Sequence, residues 1–422
     1  MRWLIVEDAL RDRKGHWLEW VTTFERGFRE LGDEVTVLAD AEVEPDIRQA
    51  LRADPVLPRS IWHRLGDGSG ALTRYGRVFA HNWQTWRVMN RYLKRHPEFE
   101  AIFVPTVSVH HLVAWTRLIK GPLRESKTRV LLFFVHGPLC KSLVGERISS
   151  DGSPSARLMI WLLKWIEPEV RAGKVMLGVE TEAMKQGFEA VSGVPFVCFP
   201  QPVNLTAKTG EASRSTQTEI RMACYGAARA EKGSDVLQQA ILLHRRRFPT
   251  SHTRFAVQWI EDFTFNGVSA SKSPELLGDP QVEYLTNYFR NGEYANQLGK
   301  TNVMLLPYRF CSYGLRGSRV VIEAVINGIP VIATRGTTLA TLAQNFGAGL
   351  TCEDGNPESL AASIREMELR FNELSEAAES RKAAAASYFS TVKFRELFLH
   401  PVGRLPAVVH ADRLEAAECD RS

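Results

Sequence analysis

The chain has 422 residues, which is too long for one compact core and favours two domains of roughly 200 residues each. Hydrophobic residues at 44% and charged residues at 24% describe an ordinary globular protein, and they exclude disordered and fibrous classes. The formal net charge of +5 fits a phosphate-bearing ligand or an anionic membrane surface, and it is far from that of a dedicated nucleic-acid binder.

The N-terminus and the cysteines indicate where the protein resides. Glu7 and Asp8 interrupt the N-terminal segment before a signal-peptide core could form, and no run approaches the ~18 apolar residues of a spanning helix. The six cysteines are scattered singly without a C-x-x-C pair, which favours reduced thiols over a disulfide framework or a zinc site. We therefore expect a cytoplasmic protein.

The N-terminal half opens with strand, helix and strand. Residues 3–6 form a short apolar run, the next helix repeats apolar residues at intervals of three and four up to Gly32, and residues 34–38 read as a second strand. This βαβ unit predicts a parallel sheet. Residues 55–75 read as irregular. Further strands are predicted at residues 101–104, 130–135, 175–178 and 196–199.

A helix around residues 158–166 carries Trp161, Lys164 and Trp165. This pattern fits a patch that binds a membrane surface, which would allow a lipid-linked acceptor. We favour a core helix, because packed helices also carry rows of large apolar residues.

Residues 204–219 are polar, rich in Thr and Ser, and lack apolar periodicity, which predicts a linker. Strand-helix alternation then restarts. We predict strands at residues 220–225, 254–260, 303–306 and 330–334, with helices at residues 235–247 and 319–327. The predicted fold class is α/β, with two Rossmann-like domains whose parallel sheets face a cleft at the carboxyl ends of the strands. The predicted bounds are 1–203, linker 204–219, 220–395 and a tail at 396–422.

One chemical constellation lies between the strand at 220–225 and the following helix. Gly226 and Gly233 allow tight turns, and Ser234 is placed to cap a helix that begins at the next residue. Arg229 and Lys232 project from this loop, and two cations there suit a diphosphate. Taken alone, the loop is better explained as a solvated basic turn, and the second constellation reverses that preference.

The second constellation follows the strand at 303–306. Ser318 is placed as the N-cap of the next helix, whose free amides form an anion site. Glu323 is the only charge in residues 320–326 and lies too deep for a capping box. A buried carboxylate needs a partner or a polar cleft, so Glu323 either pairs within the fold or accepts hydrogen bonds from sugar hydroxyls.

These motifs resemble the retaining nucleotide-sugar glycosyltransferases of the GT-B fold, in the group that includes bacterial mannosyl- and glucosyltransferases. Residues 226–233 resemble its phosphate-binding G-R-x-x-x-E-K-G loop, and residues 315–323 with 328–333 resemble its E-x7-E region and G-x-P-V-I-A strand. The resemblance implies that Lys232 contacts the donor diphosphate and Glu323 the ribose. It also implies that His136 lies near the transferred sugar, and that Gly15 and His16 form the loop that approaches donor and acceptor.

The sequence departs from this family at two positions. The arginine that follows the loop glycine in the family is Ala227 here, with Arg229 two positions on, and the first glutamate of E-x7-E is Leu315. Family members with an R-x-S loop also lack that glutamate, and residues 316–318 resemble that variant. Contacts to the donor sugar are then expected from the Arg316, Gly317, Ser318 and Arg319 segment.

The predicted activity is transfer of a sugar from a nucleotide-sugar co-substrate to an acceptor hydroxyl of a glycan, a lipid-linked or a small molecule. No cofactor and no metal are expected, because no D-x-D motif occurs, and loop cations with helix-terminus amides can stabilise the leaving diphosphate. No nucleic-acid partner is expected. Two alternatives stay open, a non-catalytic GT-B scaffold that binds nucleotide or glycan, and another GT-B enzyme such as a sugar-nucleotide epimerase or a phosphorylase.

Overall fold

The computed structural model describes residues 1–13, 17–61, 71–142, 147–203, 219–265, 267–289 and 292–401. Nearly all of the predicted linker lies outside the described residues, as do Gly15 and His16. The domain bounds given above therefore stay predictions.

The N-terminal half alternates strands with helices. Its strands are β1 (Arg2–Val6), β2 (Glu34–Asp40), β3 (Asp54–Leu57), β4 (Ala101–Val107), β5 (Arg129–Phe134), β6 (Leu139–Lys141), β7 (Ile148–Ser150), β8 (Val175–Val179) and β9 (Val197–Cys198). Its helices are α1 (Trp17–Glu30), α2 (Pro45–Leu51), α3 (Ala71–Arg95), α4 (Val109–Lys120), α5 (Pro154–Arg171) and α6 (Glu182–Ser192). The main sheet has the order β3-β2-β1-β4-β5-β8-β9, and all its pairs are parallel, as predicted. Strands β6 and β7 form a separate antiparallel hairpin.

Both faces of this sheet are buried. Along β5, Leu131 and Phe133 belong to one hydrophobic cluster, whereas Leu132 and Phe134 belong to another. Because successive side chains of a strand point to opposite faces, an uninterrupted apolar strand needs helices on both sides. The apolar runs in the sequence therefore reflect a three-layer arrangement of helices, sheet and helices.

The expectation that residues 55–75 are irregular is wrong at both ends. Strand β3 pairs with β2, and α3 begins at Ala71. Pro55 conceals the strand in the sequence, because proline cannot donate a ladder hydrogen bond. An edge strand such as β3 tolerates it.

The C-terminal half contains a second parallel sheet. Its strands are β10 (Arg221–Cys224), β11 (Arg254–Gln258), β14 (Val282–Leu285), β15 (Val303–Leu306), β16 (Val331–Thr334) and β17 (Gly349–Cys352), and β12 (Phe263–Phe265) with β13 (Val268–Ala270) forms a hairpin. The helices are a 3₁₀ turn (Ala230–Lys232), α7 (Ser234–Arg247), α8 (Pro274–Leu277), α9 (Glu293–Gly299), α10 (Phe310–Tyr313), α11 (Arg319–Ile326), α12 (Thr338–Phe346), α13 (Pro357–Leu369), α14 (Phe371–Tyr388) and α15 (Thr391–Leu399). The sheet order is β14-β11-β10-β15-β16-β17. The four predicted strands are present, and the edge strands β14 and β17 were not predicted.

The last described helix, α15, returns to the N-terminal half. Phe394 is buried among aromatic rings of the N-terminal core, including Phe24 at a centroid distance of 4.6 Å and Phe199 at 4.7 Å. Arg395 donates two hydrogen bonds to Asp33, at 2.7 and 2.9 Å. Residues 391–399 thus complete the N-terminal core, although they follow the C-terminal sheet in the chain.

Helix α5 differs from the expectation of a core helix. Met159, Leu162, Leu163 and Ile166 are buried, but Trp161 and Trp165 are 60% and 43% exposed. The core interpretation is therefore wrong for the two tryptophans and holds only for the opposite face of the helix. Among the described helices, none combines the length and the apolar character needed to cross a bilayer.

Candidate functional site

The two loops singled out in the C-terminal half lie side by side. Strands β10 and β15 are neighbours, and β11 pairs with the other edge of β10. The strand order therefore changes direction between β10 and β15, and a crevice opens at their carboxyl ends, where open α/β sheets bind ligands. The loop at 225–233 follows β10, and the loop at 307–318 follows β15.

Lys232 is the central cation of the first loop. Its side chain is half-buried, and its ammonium lies 5.8 Å from the ring centroid of Tyr308. Gly226 has φ +92°, a conformation that favours glycine, and its α-carbon faces the ammonium of Lys232, which lies 2.1 Å from the place of a β-carbon. The side chain of Lys232 makes no hydrogen bond and no ion pair within 4 Å with the described part of the chain, and burial lowers the pKa of its ammonium, although Glu231 opposes that change. A half-buried cation without a direct ion pair is suited to receive an anion.

The residue that caps α7 differs from the expectation. Gly233, with φ +62°, is itself the N-cap of α7, and a β-carbon there would lie 2.1 Å from the carbonyl oxygen of Pro307. Ser234 is inside the helix, and its hydroxyl accepts a hydrogen bond of 3.1 Å from the amide of Arg229. The predicted capping role of Ser234 is therefore wrong, because the left-handed glycine turns the chain one residue earlier.

Arg229 lies on the outer side of the same loop. Its side chain is 61% exposed, and one guanidinium nitrogen lies 3.7 Å from Glu231. An exposed pair at that distance contributes little to stability, so the guanidinium can turn toward a ligand at small cost.

The second loop leads into α11. Ser318 is the N-cap residue of this helix, as predicted, but its side chain makes no capping hydrogen bond. The exposed guanidinium of Arg316 lies over the ring of Tyr313, 5.0 Å from its centroid. The start of α11 and the ammonium of Lys232 thus belong to adjacent loops of one crevice.

Glu323 is paired within the fold. It is 7% exposed, Arg319 Nε donates to its Oε1 at 2.8 Å, and the hydroxyl of Tyr294 donates to its Oε2 at 2.5 Å. Burial raises the pKa of the carboxyl, and Arg319 opposes that rise. Arg319 also binds Glu19 of α1 at 2.6 Å, which links the two halves of the chain.

The N-terminal half contributes two side chains that follow adjacent strands. His136, after β5, is half-buried, and burial together with the nearby Arg316 lowers its pKa. Glu180 follows β8, and burial raises its pKa to about 7. The amide of Gly317 donates to Glu180 Oε1 at 2.7 Å. At pH 7 the imidazole of His136 is therefore neutral, whereas Glu180 is close to its midpoint of ionisation.

Glu180 was missed by sequence reasoning, although it follows a predicted strand at the same edge as His136. The missed signal was its position directly after the apolar run at 175–179. The neighbouring Thr181 donates to the carbonyl oxygen of Leu315 at 2.5 Å, and the Leu315 side chain packs on the N-terminal core. Leu315, which stands where the family has the first glutamate of E-x7-E, therefore makes an apolar contact between the two halves. Lys141 adds a further link through a 3.0 Å hydrogen bond to the carbonyl of Gly336.

Comparisons with known proteins support the fold. No protein-family model and no curated relative matches the sequence. Among solved structures, sucrose-phosphate synthase from Thermosynechococcus elongatus is 13% identical, with a TM-score of 0.59 over 94% of this chain and 98% of that one. A glycosyltransferase from Rickettsia africae is 12% identical, with a TM-score of 0.61 over 95% and 100%. Anabaena HepE in complex with UDP is 12% identical, with a TM-score of 0.60 over 95% and 99%. These similarities confirm the predicted GT-B fold.

Proposed function

We propose that this chain is a glycosyltransferase that moves a sugar from a nucleotide-diphosphate sugar to an acceptor hydroxyl. The observation that carries the proposal is the ammonium of Lys232, half-buried and without an ion pair to a described residue, beside the start of α11 at the turning point of the C-terminal sheet. A diphosphate supplies the charge that this crevice lacks.

The residues around the crevice suggest how the leaving group is stabilised. Lys232, Arg229 and the amides that begin α11 would bind the diphosphate as the bond to the sugar breaks, so a metal at the diphosphate is not required. His136, whose pKa is lowered by burial and by the nearby Arg316, would hydrogen-bond the transferred sugar in its neutral form. We propose transfer with retention, on the basis of the family resemblance.

The role of Glu323 at the ribose rests on the same resemblance. Its Oε2 already accepts the hydroxyl of Tyr294. Each carboxylate oxygen can accept a second hydrogen bond, so a ribose hydroxyl could donate to Oε1 or Oε2 beside the bonds from Arg319 and Tyr294. Glu323 would then bind the donor in addition to its structural partners, Arg319 and Tyr294.

An exposed aromatic face of the N-terminal half favours an acceptor at a membrane surface. Helix α3 exposes Tyr75, Phe79 and Trp83, and α5 exposes Trp161 and Trp165. Exposed cations lie along the same helices and the intervening α4: Arg74, Arg117, Arg157 and Lys164. Aromatic and basic side chains together are typical of contact with anionic lipid.

This surface contact has a direct test. The full chain should co-sediment with vesicles that contain anionic phosphatidylglycerol, and changing Trp161 and Trp165 to Ser should reduce the bound fraction. Phosphatidylcholine vesicles are the control. Equal binding of wild type and variant to the anionic vesicles would contradict the proposal.

The contacts of Leu315 favour one alternative, a non-catalytic scaffold that binds nucleotide. In place of a sugar-binding glutamate, Leu315 packs on the N-terminal core, and the Gly317 amide is occupied by Glu180. A protein locked in that state would bind nucleotide without transferring sugar. A panel of nucleotide-sugars, with product analysis, separates the candidates. Transfer or donor hydrolysis supports the enzyme, an isomerised sugar nucleotide indicates an epimerase, and binding without turnover supports the scaffold.

A further inference from the structure

Three buried side chains of the N-terminal half converge at the carboxyl end of its sheet. Asp8 follows β1, His81 lies in the middle of α3, and His111 lies in the first turn of α4, just after β4. Strands β1 and β4 are neighbours, and the sheet order reverses between them. The cluster therefore occupies the turning point of the N-terminal sheet, the place where such sheets bind ligands.

The donor atoms of these side chains are close together. Asp8 Oδ2 lies 3.2 Å from His81 Nε2 and 3.5 Å from His111 Nε2, and the three atoms all lie within 4.8 Å of one another. Asp8 Oδ2 and both ring nitrogens of His81 lack hydrogen-bond geometry toward any described residue. One donor atom from each of Asp8, His81 and His111 thus lies near a common point. Asp8 and His81 meet there without a hydrogen bond of good geometry.

These separations match a metal site. Zinc binds imidazole nitrogen and carboxylate oxygen at about 2.0–2.1 Å, so neighbouring ligands of a tetrahedral site are about 3.3 Å apart. His111 Nδ1 lies 3.0 Å from the hydroxyl oxygen of Ser108, which can accept its proton and leave a lone pair on Nε2. The amide of Ser108 donates to the same nitrogen at 3.2 Å, which favours a proton on Nε2, and a metal bound at Nε2 would have to displace that proton.

The residues around the three side chains are mostly buried and joined by hydrogen bonds. The side chain of Asn82, next to His81, donates to the carbonyl of His110 at 2.5 Å and accepts from the amide of Ala114 at 2.8 Å, which joins α3 to α4. Glu7 beside Asp8 is 1% exposed, and its Oε2 has no described hydrogen-bond partner.

We propose that Asp8, His81 and His111 bind one divalent transition-metal ion of the zinc type, with water in the fourth position. The site joins β1, α3 and α4, and His111 lies within electrostatic range of His136. The evidence for the site does not depend on the proposed activity, because the donor loops belong to the C-terminal half.

The full chain, stripped with a chelator, is the material for the test. Titration with Co²⁺ should produce the visible absorption of a tetrahedral site, saturate at one equivalent, and reverse on addition of Zn²⁺. Zn²⁺ should also raise the melting temperature. His81→Gln and Asp8→Asn should each weaken metal binding by about a hundredfold or more, whereas His96→Gln, at an exposed histidine just after α3, should bind as wild type does.

Several results would overturn the proposal. Absence of both the cobalt spectrum and the Zn²⁺ effect on wild-type melting would do so without any variant, so a variant that fails to fold does not decide the matter. Wild-type affinity in folded His81→Gln would also overturn it. A sulfur-to-cobalt charge-transfer band would assign the metal to a cysteine instead. UDP binding by the stripped protein is measured in parallel, so that failure of the metal site and failure of the donor site are told apart.

Discussion

Replacing Lys232 by methionine removes the charge from the phosphate loop while keeping an unbranched side chain of similar length. The ammonium is half-buried beside Gly226 and Tyr308, and no described carboxylate forms an ion pair with it. A charge-assisted hydrogen bond from such a group to a diphosphate is worth about 1.5–3 kcal/mol. With UDP as the probe for the nucleoside diphosphate, the dissociation constant should therefore rise roughly 10- to 150-fold.

Calorimetric titration of the full chain with UDP in the presence of EDTA is the assay. Lys300→Met is the matched control, since it removes the same charge from the same half at an exposed position just before the amino end of β15. The control should bind UDP as wild type does. The melting temperature of Lys232→Met should be unchanged or higher, because burial opposes the charged form of Lys232.

Wild-type UDP affinity in folded Lys232→Met would refute the assignment of this loop to the diphosphate. Equal loss in Lys300→Met would instead show that only the net charge matters. Binding that disappears in EDTA would contradict a donor site without metal.

Three further variants test the rest of the site. His136→Ala should lower turnover by roughly 10²-fold with UDP affinity unchanged, and normal turnover would return His136 to a structural role. Glu323→Gln should lower the melting temperature, since Arg319 loses its partner, and weaken donor binding by about 1–3 kcal/mol; intact donor affinity in the folded variant would exclude the ribose contact. Burial raises the pKa of Glu180 to about 7, so its stabilising contribution is complete below about pH 4.5 and is lost as the pH rises through 7. At pH 8, Glu180→Gln should therefore melt at a higher temperature than wild type, and its free energy of unfolding should be larger by at most about 3 kcal/mol. The two melting temperatures, measured by differential scanning fluorimetry, should converge near pH 5.

The sequence by itself determined the α/β class, the parallel sheets and the two loops of the candidate site. Fully buried strands are uninterrupted apolar runs, so β1, β5 and β15 could be located from hydrophobicity alone. Gly226 and Gly233 marked the phosphate loop, because positive φ and close backbone approach leave few other residue types. Local signals of this kind depend only on neighbours in the chain.

Only the tertiary structure decided which distant residues meet. Glu180 reaches Gly317, Leu315 packs on the N-terminal core, and α15 returns to that core through Phe394. Glu323 acquires its partner Tyr294 from another helix in the same way. Asp8, His81 and His111 show the same limit, since no local spacing joins residues contributed by a strand end and two helices. Strand order and helix packing set these contacts, and burial then sets the pKa of each group.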